Sequence, residues 1–187
     1  MQRFLTSRWN GALWLCVVIL VVDQWTKLWA VETLDGEQVW QYFGDTFRMQ
    51  YALNPGGFLG LGGNLSSEWR KALFIGLNGV GLLALAILPC IKRLTLSTFF
   101  ACWLIFAGGI GNQIDRIRLG GYVIDFLNIG WGPVRSGIFN VADMAITLGA
   151  ILLFVTAIRT PAIAKVSESD PTSATSVPGG TQPKSLS

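Results

Sequence analysis

The stretch FNVADMAITLGAILLFVTAI, residues 139–158, is apolar except near its start, where it carries its single charged residue, Asp143. It is long enough to cross a bilayer as a helix, which needs about 20 apolar residues. Three further stretches, at residues 9–31, 72–91 and 94–112, have the same character, although the first contains Asp23 and Lys27 in its last third. These stretches predict four transmembrane helices.

The composition agrees with a membrane protein. Of the 187 residues, 51% are hydrophobic and only 13% are charged, whereas an ordinary soluble domain has about 25% charged residues. We therefore predict an all-α membrane protein in which residues 1–159 form one four-helix domain. Residues 160–187 are rich in Ser, Thr and Pro without apolar periodicity, which predicts a disordered cytoplasmic tail.

The charged residues predict an orientation. The inner flanks carry basic residues with no acid before Glu168, so both termini are expected in the cytoplasm. The net charge of +3 suits an anionic cytoplasmic leaflet and gives no reason to expect a nucleic-acid partner. Nine of the eleven acids then lie at or beyond the outer face: Asp23, Glu32, Asp35, Glu37, Asp45, Glu68, Asp115, Asp125 and Asp143.

Two outer loops are expected, at residues 32–71 and 113–138. In the first, apolar and polar residues alternate over 39–43 and 47–51 around Gly44-Asp45, which predicts a small β-hairpin on the outer membrane surface. The glycine-rich segment that follows, residues 54–64, is interpreted first as a loop. The alternative is a backbone that passes close to a substrate.

The carboxylates are the strongest candidates for chemistry. The chain contains no histidine, which excludes Ser-His-Asp and Cys-His catalysis. Asp125 and Asp143 could form a pair in which one carboxyl keeps its proton and the other stays charged, as in aspartic proteases. Such a pair needs neither metal nor cofactor. The structural alternatives are that Asn140 and Asp143 cap the last helix and that Asp125 is solvated on a loop.

Other polar residues have structural interpretations. Asp115 beside Arg116 favours a local ion pair, with Asn112 on the same helical face; Asp115 is also the reserve candidate for the second catalytic acid. Asp23 and Lys27 have the i,i+4 spacing that favours a salt bridge at the membrane boundary.

Five motifs occur in order: VDQWTK at 22–27, NPG at 54–56, GGIGNQIDR at 108–116, VIDF at 123–126 and FNVAD at 139–143. Together they resemble the motifs of the lipoprotein signal peptidase family, also called signal peptidase II. The resemblance covers residues 11–158. The family usually has Ser or Thr where Met144 follows Asp143, and a small residue and then an aromatic where Phe58-Leu59 stands.

The resemblance implies a bacterial inner-membrane aspartyl endopeptidase that cuts prolipoproteins before a diacylglyceryl-modified cysteine and contacts membrane lipid, expected as a monomer. Its catalytic pair would be Asp125 and Asp143, near the outer face. Substrate-binding and supporting roles would fall to Asp23, Lys27, Asn54, Gly56, Asn112, Asp115, Arg116 and Asn140.

Two other functions stay open on the residues alone. One is a non-enzymatic membrane protein that binds lipid or a partner helix through the glycine-rich loop. The other is an ion-conducting bundle, but the acids gather on one side of the membrane, whereas a conducting pathway would place them across it.

Overall fold

The computed structural model describes residues 2–34, 38–57, 62 and 64–159. The predicted tail at 160–187 and the Phe58-Leu59 departure lie outside these residues. Helices are α1 (Gln2–Thr33), α2 (Ser67–Lys71), α3 (Asn78–Ile91), α4 (Leu96–Arg118) and α5 (Val141–Arg159). A π-helical segment, Ala72–Leu77, joins α2 to α3 without a break.

Within the described residues, three helices are long and apolar enough to cross a membrane: Ser7–Thr33, Ser67–Ile91 and Val141–Arg159. Their outer faces expose large apolar side chains, such as Trp14, Leu83 and Phe154. Exposed apolar faces on long helices are typical of contact with lipid tails. The mostly helical membrane fold is therefore confirmed.

Helix α4 lies at the centre of the bundle and packs against α1, α3 and α5. Its second half is built from small and polar residues because neighbouring helices approach on several sides. A Cβ at Gly108 would overlap the Ala142 carbonyl oxygen, and one at Gly111 would lie 2.7 Å from Asp23 Oδ2. Because this central position contains polar residues, α4 is less apolar than the three helices named above.

Helix α4 is also longer than the sequence predicts. It continues to Arg118, six residues beyond the predicted end at 112, so Asp115 and Arg116 lie on a helix and not on an outer loop. Thr95 caps its start by accepting a hydrogen bond from the Thr98 N–H at 3.2 Å.

An antiparallel sheet lies at the end of the bundle where α1 and α4 finish and α5 begins. Its strands, in spatial order, are β1 (Trp40–Tyr42), β2 (Phe47–Asn54), β3 (Val123–Trp131) and β4 (Val134–Arg135). The predicted hairpin is present as β1 and β2. Strand β3 lies within residues 113–138, which were predicted to form an outer loop, and is therefore a difference from the prediction.

A hydrophobic cluster fixes the sheet to the bundle. Ala30 and Leu34 near the end of α1 pack against Phe126 of β3, and all three side chains are almost fully buried. The middle of β3 is therefore held between α1 and the neighbouring strand. This packing determines where Asp125, the residue before Phe126, is placed.

Candidate active site

Asp125 lies on β3 with its carboxylate turned into the protein, and it is 1% exposed. The register of the sheet pairs Ala52 with Asp125 and Asn54 with Val123. Asn54, at the end of β2, donates from Nδ2 to Asp125 Oδ2 at 2.9 Å. Its Oδ1 accepts from the Gly56 N–H at 2.8 Å, a local turn contact that fixes the direction of the amide.

Asp143 lies in the first turn of α5 and forms a reciprocal cap with Asn140. The Asp143 N–H donates to Asn140 Oδ1 at 2.9 Å, and the Asn140 N–H donates to Asp143 Oδ2 at 3.2 Å. This is a capping box in which Asp takes the place of the usual Glu or Gln. The capping interpretation of these two residues is therefore correct, but it does not describe everything they do.

Asn140 also joins Asp143 to Asp125. Its side chain is fully buried, and Nδ2 donates to Asp125 Oδ1 at 2.6 Å and to the Ile124 carbonyl at 3.1 Å. One amide therefore caps α5 through its oxygen and holds the β3 carboxylate through its nitrogen. Asp125 and Asp143 are 18 positions apart in the sequence, and Asn140 bonds to both residues.

Burial is the main cause that raises the pKa of Asp125, and the negative charge of Asp143 adds to it, so that the pKa is about 7. The hydrogen bonds from Asn54 and Asn140 oppose this rise because they stabilise the ionised carboxylate. Solvation on a loop, the alternative considered for Asp125, is contradicted by its burial. Near neutral pH the side chain can hold or release a proton.

Asn112 connects the carboxylate pair to a second polar cluster. From α4 it donates through Nδ2 to Asp143 Oδ1 at 2.8 Å. Its Oδ1 accepts from Asn140 Nδ2 at 3.1 Å and from Lys27 Nζ at 3.0 Å. Both ends of the amide are therefore used, which defines its orientation.

The second cluster centres on Lys27, which is 1% exposed. Its ammonium lies 2.9 Å from Asp23 Oδ2, as the i,i+4 spacing predicts, and 2.8 Å from Asp115 Oδ2. The predicted pairing of Asp115 with Arg116 is wrong. Asp115 instead pairs with Lys27, because this buried ammonium needs acceptors for all three of its protons.

Asp23 and Asp115 each support a neighbouring element as well. Asp23 Oδ1 accepts from the Ala142 N–H at 2.8 Å, so a carboxylate on α1 helps to cap α5. Asp115 Oδ2 accepts from the Ile124 N–H at 3.2 Å, next to Asp125. Lys27 thus holds two carboxylates that each anchor the segment beside one member of the Asp125–Asp143 pair.

Gln24 is a residue of this cluster to which the sequence analysis assigned no role. Its Nε2 lies within hydrogen-bond distance of Asp23 Oδ2, Asp115 Oδ1 and the Gly111 carbonyl, at 3.1, 3.2 and 3.3 Å. The only signal in the sequence was its position inside the 22–27 motif.

Arg116 lies at the opposite side of the site and is 7% exposed. Its Nη2 donates to the Gly56 carbonyl at 3.3 Å, and its guanidinium lies 5.2 Å from the centre of the Phe74 ring. Arg116 therefore ties the segment after β2 to the π-helical segment before α3.

Asp125 and Asp143 line one cavity of about 540 Å³ between the π-helical segment, α3, α4 and α5. Asn54, Asn112 and Arg116 surround its polar end. The remainder of the cavity is lined mainly by apolar side chains, which include Leu77, Leu82, Leu85, Ile105 and Ile146. Among the described residues, no group of three or more His, Cys, Asp or Glu residues has an arrangement that could hold a metal ion.

The fold and this site define a helical membrane protein with a buried pair of carboxylates at one end of its bundle. A family model described as signal peptidase (SPase) II matches residues 15–159. The chain belongs to the signal peptidase II family.

Proteins named lipoprotein signal peptidase are similar over most of their length. The one from Psychromonas ingrahamii is 35% identical over 153 residues, 78% of this chain and 82% of the relative. The one from Desulforapulum autotrophicum is 39% identical over 145 residues, 74% of this chain and 87% of the relative.

Two solved structures, each described as a bacterial membrane enzyme, have the same fold. One has a TM-score of 0.69 at 24% identity and covers 88% of this chain and 95% of its own. The other has a TM-score of 0.68 at 26% identity and covers 81% of this chain and 95% of its own.

Proposed function

We propose that this chain removes signal peptides from prolipoproteins, with Asp125 and Asp143 as its catalytic pair. Family membership and the names of its relatives support the reaction. The observation that carries the residue assignment is Asn140, whose side chain holds the Asp125 carboxylate while it caps the helix that carries Asp143 in its first turn.

The pair fits acid–base hydrolysis without a covalent intermediate. Asp143, at a positive helix N-terminus with N–H donors from Asn112 and Asn140, is the ionised base that takes a proton from water. The water oxygen attacks the peptide carbonyl carbon while protonated Asp125 gives its proton to the carbonyl oxygen. Asp143 then passes its proton to the leaving amine, the C–N bond breaks, and the new carboxyl returns a proton to Asp125.

The remaining polar residues fit supporting roles. Asn54 and Arg116 line the cavity and would bind substrate backbone, with Gly56 held against Arg116. Asn112 orients Asp143. Asp23, Lys27 and Asp115 form the charged cluster that fixes α1, α4, β3 and α5 relative to one another.

The membrane arrangement is part of the proposal. Helix α4, surrounded by three apolar helices, would be the fourth span. The sheet would lie on the outer surface of the bacterial inner membrane with both termini in the cytoplasm, so the carboxylates would sit near the outer face. The substrate would carry diacylglyceryl on the cysteine after the cleaved bond. A monomer suffices, because one chain supplies every site residue named above.

The test is cleavage of a diacylglyceryl-modified prolipoprotein by purified protein in detergent with EDTA present. Asp125→Asn and Asp143→Asn should each lower kcat by about 100-fold or more, since general acid–base groups contribute about that much. Glu68→Gln, an exposed carboxylate on α2, is the matched control and should cleave normally. A folded Asp125→Asn or Asp143→Asn protein with normal cleavage would disprove the assignment.

A further inference from the structure

A second cavity, of about 370 Å³, is also lined by Asp143. It shares Asn54, Asp143 and Thr147 with the larger cavity. Its other walls are mainly the apolar side chains of Ile138, Phe139, Met144, Leu148 and Ile151. Two spaces of different chemical character therefore meet beside Asp143.

The two spaces lie on opposite flanks of α5. A helix turns about 100° per residue, so Met144, Leu148 and Ile151 fall on one flank while Ile146 falls on the other. Ile146 lines only the larger cavity, and those three line only the second. Asp143 and Thr147, which line both, lie on the strip between the flanks.

The second cavity opens toward the lipid-facing side of the helix. Met144, Leu148 and Ile151 are 53%, 56% and 54% exposed, which on an apolar membrane helix means contact with hydrocarbon. Ile151 lies about 12 Å along the helix axis from Asp143, at 1.5 Å per residue. The cavity is thus a short apolar channel from the carboxylate to the surrounding lipid.

The polar groups of Phe139 and Ser136 in its wall are already engaged. The Phe139 N–H and carbonyl pair with Leu127, both at 2.8 Å, and the Ser136 hydroxyl accepts from the Ile129 N–H at 3.0 Å. A peptide backbone placed here would leave its own N–H and carbonyl groups without partners, which is costly away from water. The larger cavity offers Arg116 for such a backbone, since its buried Nε has no hydrogen-bond partner among the described residues.

We infer that the second cavity binds an acyl chain of the lipidated cysteine, while the signal peptide occupies the larger cavity. This inference rests on the proposed function. A hydrocarbon chain needs no hydrogen bonds, begins next to the cleaved bond and must end in lipid, and the channel satisfies each condition. Met144 occupies its first turn, and Thr147 is the one polar side chain of α5 that lines the channel beyond Asp143.

The experiment compares two substrates with one peptide sequence, whose cysteine carries either a dibutyrylglyceryl or a dipalmitoylglyceryl group. Ile151→Trp would fill the far end of the channel, two turns from Asp143. Excluding about two methylene groups from burial lowers affinity about tenfold, so kcat/KM for the dipalmitoyl substrate should fall by at least about that factor. The dibutyryl substrate, too short to reach Ile151, should be cleaved as by the wild type.

Phe154→Trp is the matched control, since Phe154 lies on the same helix, is 68% exposed and lines neither cavity. It should leave both substrates unaffected. Met144→Trp, at the near end, should slow both acylated substrates through KM, with kcat at saturation retained.

The outcomes separate the inference from the function on which it rests. If the wild type cleaves both substrates and Ile151→Trp slows both equally, or neither, the acyl-chain site is disproved and the peptidase function stands. If the wild-type protein, verified as folded, cleaves neither substrate, the proposed function fails and the inference fails with it.

Discussion

Asn140 shows how one side chain can satisfy two interpretations that the sequence presents as alternatives. A cap and a site residue were weighed against each other, and the structure gives this amide both tasks, through its oxygen and its nitrogen respectively. Asp115 shows the opposite case. Its neighbour Arg116 was the obvious partner, yet the ammonium that binds it comes from Lys27, 88 positions earlier. Local spacing contains no information about such a pairing.

The pH dependence of cleavage tests the role of Asp125. A general acid is active while protonated, so kcat/KM should decline as the pH rises through the pKa of about 7. Asn54→Leu removes a hydrogen bond that stabilises the ionised form, which raises the pKa and should move the decline to higher pH. Asn78 also lines the cavity, but it donates its hydrogen bond to Gln113. Asn78→Leu should therefore leave the pH of this decline unchanged. A decline that moves to lower pH in Asn54→Leu would contradict the assignment.

The buried ammonium of Lys27 predicts a large effect on stability. Lys27→Met would leave Asp23 and Asp115 without their cation. Removing one partner of a buried ion pair lowers the free energy of unfolding by about 3–5 kcal/mol. The thermal midpoint in detergent should fall accordingly, whereas Lys92→Met at an exposed site should change stability by less than about 0.5 kcal/mol. Adding Asp115→Asn to Lys27→Met should restore part of the loss. An unchanged midpoint in Lys27→Met would show that the cluster is not what holds these elements together.

Among the elements, the long apolar helices and the β1–β2 hairpin were accessible from the sequence because hydropathy and alternation mark them directly. Two others were not. The last turns of α4 contain Asn112, Asp115 and Arg116, which without tertiary context have the composition of a loop. No turn residues mark the limits of strand β3 clearly in the sequence. It forms a strand because it pairs with β2 and packs on α1.

Close packing of α4 on α5 depends on Gly108. A Cβ there would overlap the Ala142 carbonyl, so Gly108→Ala must separate the two helices. Overpacking of this kind costs about 1–3 kcal/mol. Gly81→Ala on α3, where nothing lies within 4 Å of the added Cβ, should be neutral or stabilising. Thermal unfolding of the two variants in the same detergent measures the difference, and equal midpoints would contradict the packing argument.

At the scale of the whole molecule, the sheet and the polar clusters lie at one end of the bundle and the α3–α4 connection at the other. The sequence indicated this polarity through the distribution of its acids. It did not indicate that three helices and two strands converge on one polar network, because the contacts join residues up to 119 positions apart.

The proposed topology can be tested with single cysteines. Val134→Cys lies at the sheet edge, where Val134 is 78% exposed, and Arg93→Cys lies in the exposed α3–α4 connection. In a background with the exposed Cys90 replaced by Ser, a membrane-impermeant maleimide should label Val134→Cys in spheroplasts and label Arg93→Cys only after permeabilisation. The reverse pattern would overturn the orientation.

The hydrogen bond from Asp23 to Ala142 joins the first long helix of the chain to the last. Because translation proceeds from α1 to α5, Asp143 is added only after the other helices and the sheet strands have been synthesised. A nascent chain therefore exposes no complete carboxylate pair to other polypeptides during its insertion. Asp143 is thus the last residue of this polar site to be synthesised.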